Sequence, residues 1–143
     1  MRAAAMTILR KRLAEAHGYR ISPRDTNYFA LLLDPAGDAV DLTCVVEIFN
    51  PGGRTPPNTH QVAQELFFVL KGTGRAHCGG RTVELAPGDA LLVPPGHEHV
   101  IENTGAGKLY TLTVMIPNEG FAELIRNGTP VPLDAEDRAL LNG

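Results

Sequence analysis

The punctuation of this chain constrains its fold more than any other feature. Between residues 28 and 116, short apolar stretches are cut by turn-forming residues about every eight to twelve positions. Tyr28–Leu33 runs into Asp34-Pro35-Ala36-Gly37-Asp38, Leu42–Phe49 into Asn50-Pro51-Gly52-Gly53, and Leu66–Leu70 into Gly72. Thr73–Cys78 meets Gly79-Gly80 and returns as Thr82–Leu85, which is the form of a two-residue hairpin. Pro87-Gly88-Asp89 opens Ala90–Val93, Pro94-Pro95-Gly96 closes it, and Glu98–Glu102 and Leu109–Ile116 follow. No long apolar pattern of helical period interrupts this series, which argues against βαβ units. The expectation is eight or nine strands in a β-sandwich or barrel.

The two ends read differently. Ile8, Leu9, Leu13 and Ala16 share one helical face, so a short surface helix is expected before the strands. Phe121, Leu124 and Ile125 have helical spacing, with Gly128 placed as a stop. Asp134 precedes a second candidate, Ala135–Leu141, and Asp137 completes part of a capping box. At 143 residues the chain is expected to be one domain spanning 1–143, with a barrel core at about 27–116.

A net charge of −3 gives no case for nucleic acid or an anionic membrane surface. The longest apolar run, Tyr28–Leu33, is six residues. A spanning helix needs roughly 20, so no membrane span is expected. Arg10-Lys11-Arg12 interrupts the mildly apolar start and no small-residue cleavage site follows, so the expected location is cytoplasmic. Cys44 and Cys78 cannot build a disulfide scaffold, and a chain of this size can bury a core without one.

Two stretches concentrate the residues able to do chemistry. The first holds Gly52, Asn58, His60, Gln64, Glu65 and Gly72. The second holds Gly88, Pro94, Gly96, His97, Glu98, His99 and Asn103. On these residues the chain resembles the cupins. The second motif of that family, G, five residues, P-x-G, two residues, H, three residues, N, is matched at every fixed position by Gly88, Pro94, Gly96, His99 and Asn103. The first motif is matched by His60, Glu65 and Gly72, with Asn58 where its first histidine belongs and Gly52 as its leading glycine.

The resemblance covers roughly residues 42–116. It implies an all-β double-stranded β-helix, the cupin or jelly-roll barrel, with a short N-terminal segment and one or two short C-terminal helices. It also implies that His60, Glu65 and His99 point inward and hold one divalent metal. Asn58 would bind that metal, hold a water beside it, or point elsewhere. Imidazole nitrogen and carboxylate oxygen suit a first-row cation. Two histidines and one carboxylate favour iron, with Mn, Ni, Zn or Cu as alternatives. The bland alternative is a pair of histidines hydrogen-bonded in a polar barrel mouth.

Phe67 and Val69 share strand parity with Glu65 and are expected to line its cavity. Cys78 is expected to face inward and shape the pocket, and His77 to face water. His97, in the Pro-Pro-Gly turn, Glu98, and Gln64, beside Glu65, are the candidate catalytic groups. Leu66, Phe68 and Leu70 would face a second sheet or a partner subunit. The expected function is dioxygenase or other oxidoreductase chemistry on a small organic molecule, using one mononuclear metal. Isomerase or decarboxylase chemistry and a non-catalytic ligand- or metal-binding module are the alternatives. Open edge strands and an apolar outer face suggest a homodimer.

Overall fold

Two antiparallel sheets face one another in the computed structural model, which describes residues 7–142. The larger sheet contains β1 (His17–Arg20), β2 (Asn27–Leu33), β3 (Thr43–Phe49), β4 (Gln64–Lys71), β7 (Ala90–Val93), β9 (Leu109–Ile116) and β10 (Thr129–Val131). Its order is β10-β1-β2-β3-β9-β4-β7. The smaller sheet contains β5 (Gly74–Cys78), β6 (Arg81–Leu85) and β8 (His99–Asn103), in the order β6-β5-β8. This is the double-stranded β-helix expected from the motifs.

Side-chain alternation builds the core between the sheets. On β4, Glu65, Phe67 and Val69 are buried while Gln64 and Phe68 are exposed. Phe67 and Val69 meet Phe49, Leu85, Ile101 and Leu109 in one cluster. Each such side chain contributes about 1.5–3 kcal/mol on full burial. Strand β3 is almost wholly buried, because its outward side chains Val46 and Ile48 are covered as well. Their cover includes Ala16, Tyr28, Tyr110 and Leu133. That explains why Leu42–Phe49 reads as a continuous run and not as an alternation.

The β5–β6 hairpin turns through Gly79 and Gly80, with φ of 57° and 77°. Two consecutive positive φ values are what a tight two-residue hairpin requires, and glycine reaches them without strain.

The ends hold the main departures from expectation. In place of an N-terminal helix there is a single 3₁₀ turn, Leu13–Glu15, without a side-chain cap at Arg12. Ile8 and Leu9 are 93% and 40% exposed, and only Leu13 and Ala16 pack on the sheet, so too little of the proposed face is covered to hold a full helix. Residues 1–6 of that stretch lie outside the described residues.

Strands β1 and β10 extend the larger sheet beyond residues 27–116 and were not visible as sequence patterns. They are four and three residues long. Pro130 in β10 is tolerated because β10 is an edge strand. Gly128 allows the approach, since a Cβ there would lie 2.1 Å from the Arg20 carbonyl oxygen.

Three short helices complete the described residues. The first, α1 (Pro35–Asp38), is one turn capped by Asp34 where the sequence suggests a plain loop. The second, α2 (Phe121–Arg126), buries Phe121, Ala122 and Ile125. The third, α3 (Ala135–Arg138), starts with a complete capping box between Asp134 and Asp137. It is shorter than the Ala135–Leu141 span expected. Among the described residues no helix is long and apolar enough to cross a membrane.

Candidate metal centre

His60, Glu65 and His99 reach one point from three different pieces of backbone. Glu65 stands on β4, His99 opens β8, and His60 lies in the loop before β4. The loop is positioned by backbone pairing. The Asn58 N–H donates to the His99 carbonyl and the His99 N–H to the Asn58 carbonyl, at 3.2 and 2.9 Å. The Gly96 N–H donates to the His60 carbonyl at 2.7 Å, tying the two motifs together.

Both imidazoles turn Nε2 toward the same carboxylate oxygen. His60 Nε2 is 3.1 Å and His99 Nε2 2.8 Å from Glu65 Oε1. The three side chains are all buried, and their ligand atoms lie within 4.8 Å of one another. Burial pushes the Glu65 carboxyl up, but hydrogen bonds from His60 and His99 outweigh it and leave the group below its ordinary value. The hydrogen bond to Glu65 raises His60 against the opposing effect of burial. Two nitrogen donors and one carboxylate oxygen converging out of water fit a first-row divalent cation.

Outer groups lie behind both rings. His60 Nδ1 is 3.9 Å from Glu119 Oε2, and His99 Nδ1 is 3.4 Å from the His97 carbonyl oxygen. Glu119 also accepts from the backbone N–H groups of Gln61, Val62 and Ala63 at 3.0, 2.6 and 2.8 Å. Those bonds keep its carboxyl below the ordinary range. Glu119 thus ties down the loop after His60 and places a carboxylate near the His60 ring without a hydrogen bond to it. No sequence signal marked it, because it lies 59 positions along the chain from His60.

The remaining expected residues divide. Asn58 lines the pocket beside the centre, with Nδ2 3.3 Å from His60 Nε2. Phe67 lines the same pocket and sets its ring edge-on to His99 at 6.3 Å. Val69, two residues further along β4, packs in the core cluster and does not line the pocket. Cys78 packs partly against that cluster and opens toward a separate surface depression, not toward the centre. Gln64 is exposed because strand alternation sends it to the face opposite Glu65. His97 and Glu98 are exposed and line no part of the pocket.

His77 is half-buried, and its Nε2 is paired with Glu102 at 2.8 Å. Asn103, an invariant position of the second motif pattern, has a structural role. Its Nδ2 donates to the carbonyls of Phe49, Asn50 and Gly107.

The pocket has a volume of about 190 Å³ and apolar walls that include Ile21, Phe29, Phe67, Phe121 and Leu124. It also exposes a second acid, Glu47, which was not singled out from the sequence. Glu47 is 2% exposed and accepts from Asn27 Nδ2 at 2.9 Å and Thr113 Oγ1 at 3.1 Å. Burial, followed by the charge of Glu65, pushes its carboxyl up to about 8 despite these hydrogen bonds. The signal was present: Glu47 is the only acid inside the apolar run Leu42–Phe49.

Comparison with known proteins agrees with this architecture. The cupin domain family matches residues 45–115. An oxalate-binding protein of Thermotoga maritima is 35% identical over 66 residues, which cover 46% of this chain and 54% of the relative. An (R)-mandelonitrile lyase of Granulicella tundricola is 36% identical over 81 residues, covering 54% of this chain and 61% of the relative. The chain therefore spans little more than half the length of these curated relatives. A crystal structure from Thermotoga maritima, described as a predicted oxalate decarboxylase, superposes with a TM-score of 0.69 and 27% identity. That match covers 76% of this chain and 99% of the other.

Proposed function

The chain belongs to the cupin superfamily through residues 45–115, and from that premise we propose that it is a metal-dependent enzyme acting on a small organic acid. The observation that carries this reading is the convergence of His60, Glu65 and His99 beside an apolar pocket. His60, Glu65 and His99 would hold the metal, and Asn58 would bind it or hold a water next to it. When bound, such a metal supplies Lewis-acid polarisation or, for iron, oxygen chemistry of the dioxygenase type.

The chain's own residues do the rest. The His97 carbonyl accepts from the His99 ring, and Glu119 holds the loop that follows His60. Phe29, Phe67 and Phe121 exclude water from a ligand seated beside the centre. Glu47 is a buried carboxyl on the pocket wall able to accept or release a proton near neutral pH. A decarboxylase reaction fits the same parts, and the oxalate-binding relative favours a binding module as the second reading. A cytoplasmic setting suits the two free thiols, Cys44 and Cys78.

Metal analysis of purified variants tests the centre. His60→Ala and His99→Ala are expected to lose the metal, and His77→Ala to retain it. Equal retention in all three ends the proposal. Oxygen consumption and product analysis with iron-loaded protein across small organic acids then separate turnover from binding.

We also propose that the protein is a homodimer. Leu92, Leu66 and Val114 lie opposite one another across β7, β4 and β9 on the outward face. Leu92 is 57% exposed, and the nearby Phe68 and Ile116 are 37% and 54% exposed. A patch of this kind asks for cover. Leu92→Glu is expected to convert a dimer to a monomer in sedimentation velocity, and a wild type already monomeric at high concentration would refute the assignment.

A further inference from the structure

Asn58 stands beside the centre in a way that hydrogen bonding does not explain. Its backbone is fixed, because its N–H and its carbonyl both pair with His99. Its side chain lines the pocket, and Nδ2 lies 3.3 Å from His60 Nε2, the nitrogen that faces Glu65. That distance is beyond the usual span of about 2.7–3.2 Å for a good N–H hydrogen bond. Nε2 of a neutral histidine carries either a proton or a lone pair. His60 therefore cannot donate to Glu65 and accept from Asn58 at once. The residue as a whole is exposed, so its amide is not sealed in the protein interior.

The spacing of these atoms is that of a coordination shell. A first-row ion with ligands at about 2.1 Å holds neighbouring octahedral donors about 3.0 Å apart. Glu65 Oε1 is 3.1 Å from His60 Nε2 and 2.8 Å from His99 Nε2, and the Asn58 amide continues the series at 3.3 Å from His60. With a cation at the centre, an N–H of Asn58 would face positive charge. A half-turn of the amide, which hardly changes its shape, presents Oδ1 instead.

We propose that Asn58 is the fourth ligand of the centre, through Oδ1, and that it biases which metal is held. This rests on the metal reading above and adds to it a selecting residue. Imidazole suits zinc, copper and nickel, whereas carbonyl and carboxylate oxygens suit manganese. An amide oxygen in place of a third imidazole gives two nitrogen and two oxygen donors. The centre is shifted by it away from zinc and toward manganese.

Competition titration of metal-free protein with Mn(II) and with Zn(II) tests this without turnover. Asn58→Leu is expected to lose about tenfold or more in Mn(II) affinity. Asn58→His is expected to widen the preference for Zn(II) over Mn(II) on the order of tenfold. Both variants keep the backbone pairing with His99. A crystal structure of the manganese-loaded wild type needs no variant to fold, and Asn58 Oδ1 is expected to be bound directly to the ion. A water between the two overturns the Asn58 assignment alone. So does an unchanged Mn(II) affinity in Asn58→Leu, or an unchanged metal preference in Asn58→His. Wild type that binds both metals no better than His60→Ala overturns the metal reading and this inference with it.

Discussion

Two buried carboxyl clusters in this small protein are built to different standards. On the outer face of the larger sheet, Asp137 is 1% exposed and its carboxylate has four donors. It accepts from Tyr28 at 2.8 Å, Tyr110 at 2.7 Å, Lys108 at 3.1 Å and the Asp134 N–H at 3.2 Å. Lys108 completes the set by donating to Asp134 and to the Tyr28 hydroxyl. Burial first, then the hydrogen bond to Asp137 and its charge, push the Tyr28 hydroxyl up to about 12 against the pull of Lys108.

In the pocket, by contrast, Glu47 is pushed toward neutrality, Asn27 keeps an unused oxygen, and two histidines share one oxygen of Glu65. The first cluster is saturated and fastens the C-terminal segment to the sheet. The second leaves a buried acceptor unpaired in the wall of a pocket, where the first leaves none.

Breaking the saturated cluster should give the largest effect. Asp137→Ala leaves Lys108 and two tyrosine hydroxyls without their shared acceptor. A loss of about 3–5 kcal/mol is expected in chemical denaturation, as for other buried pairs broken on one side. Metal content should not change. Metal loss in this variant would mean that the two clusters are energetically linked.

Next comes the pH dependence of Glu47, measured on metal-free protein. Its folded value of about 8 lies above the ordinary 4.5. A group raised in this way contributes fully below the unfolded value and loses that contribution as pH rises through the folded one. Wild-type stability should therefore fall relative to Glu47→Gln between pH 4.5 and about 8, by at most about 1.4 kcal/mol per pH unit. Parallel stability curves across that window would show that Glu47 is ionised at no cost.

The smallest effect should come from Glu119→Gln. It keeps the shape but weakens the acceptor that holds Gln61–Ala63 and faces His60. A drop of about tenfold in metal affinity is expected by competition titration, with the fold intact. The lowered carboxyl value at Glu119 adds a sign that can be checked: its contribution is present above the ordinary 4.5 and is lost as pH falls below it.

Much of this was legible in the chain. Gly79-Gly80 dictated a hairpin because that turn demands two left-handed residues, and it forms as expected. Asp134 and Asp137 announced a capping box, and it is complete. Local chemistry of this kind is settled within a few residues. The spacing of His60 and Glu65, and of Gly96 and His99, likewise marked a candidate centre before its geometry was known.

Other features were hidden for equally physical reasons. β1 and β10 have no strand pattern of their own: β1 forms by pairing with β2, and β10 by completing β1 at the edge of the sheet. Glu119 and Asn27 are ordinary polar residues in the sequence. Only the fold places one beside His60 and leaves the other in the pocket wall with a buried, unpaired oxygen.

The sequence by itself determined the turns, the alternation that separates Glu65 from Gln64, and the identity of the three converging side chains, because each depends on residue type and short spacing. Tertiary structure decided which buried polar atoms are paired and which are left open. That depends on strands far apart in the chain meeting across a cavity, and no local pattern encodes it.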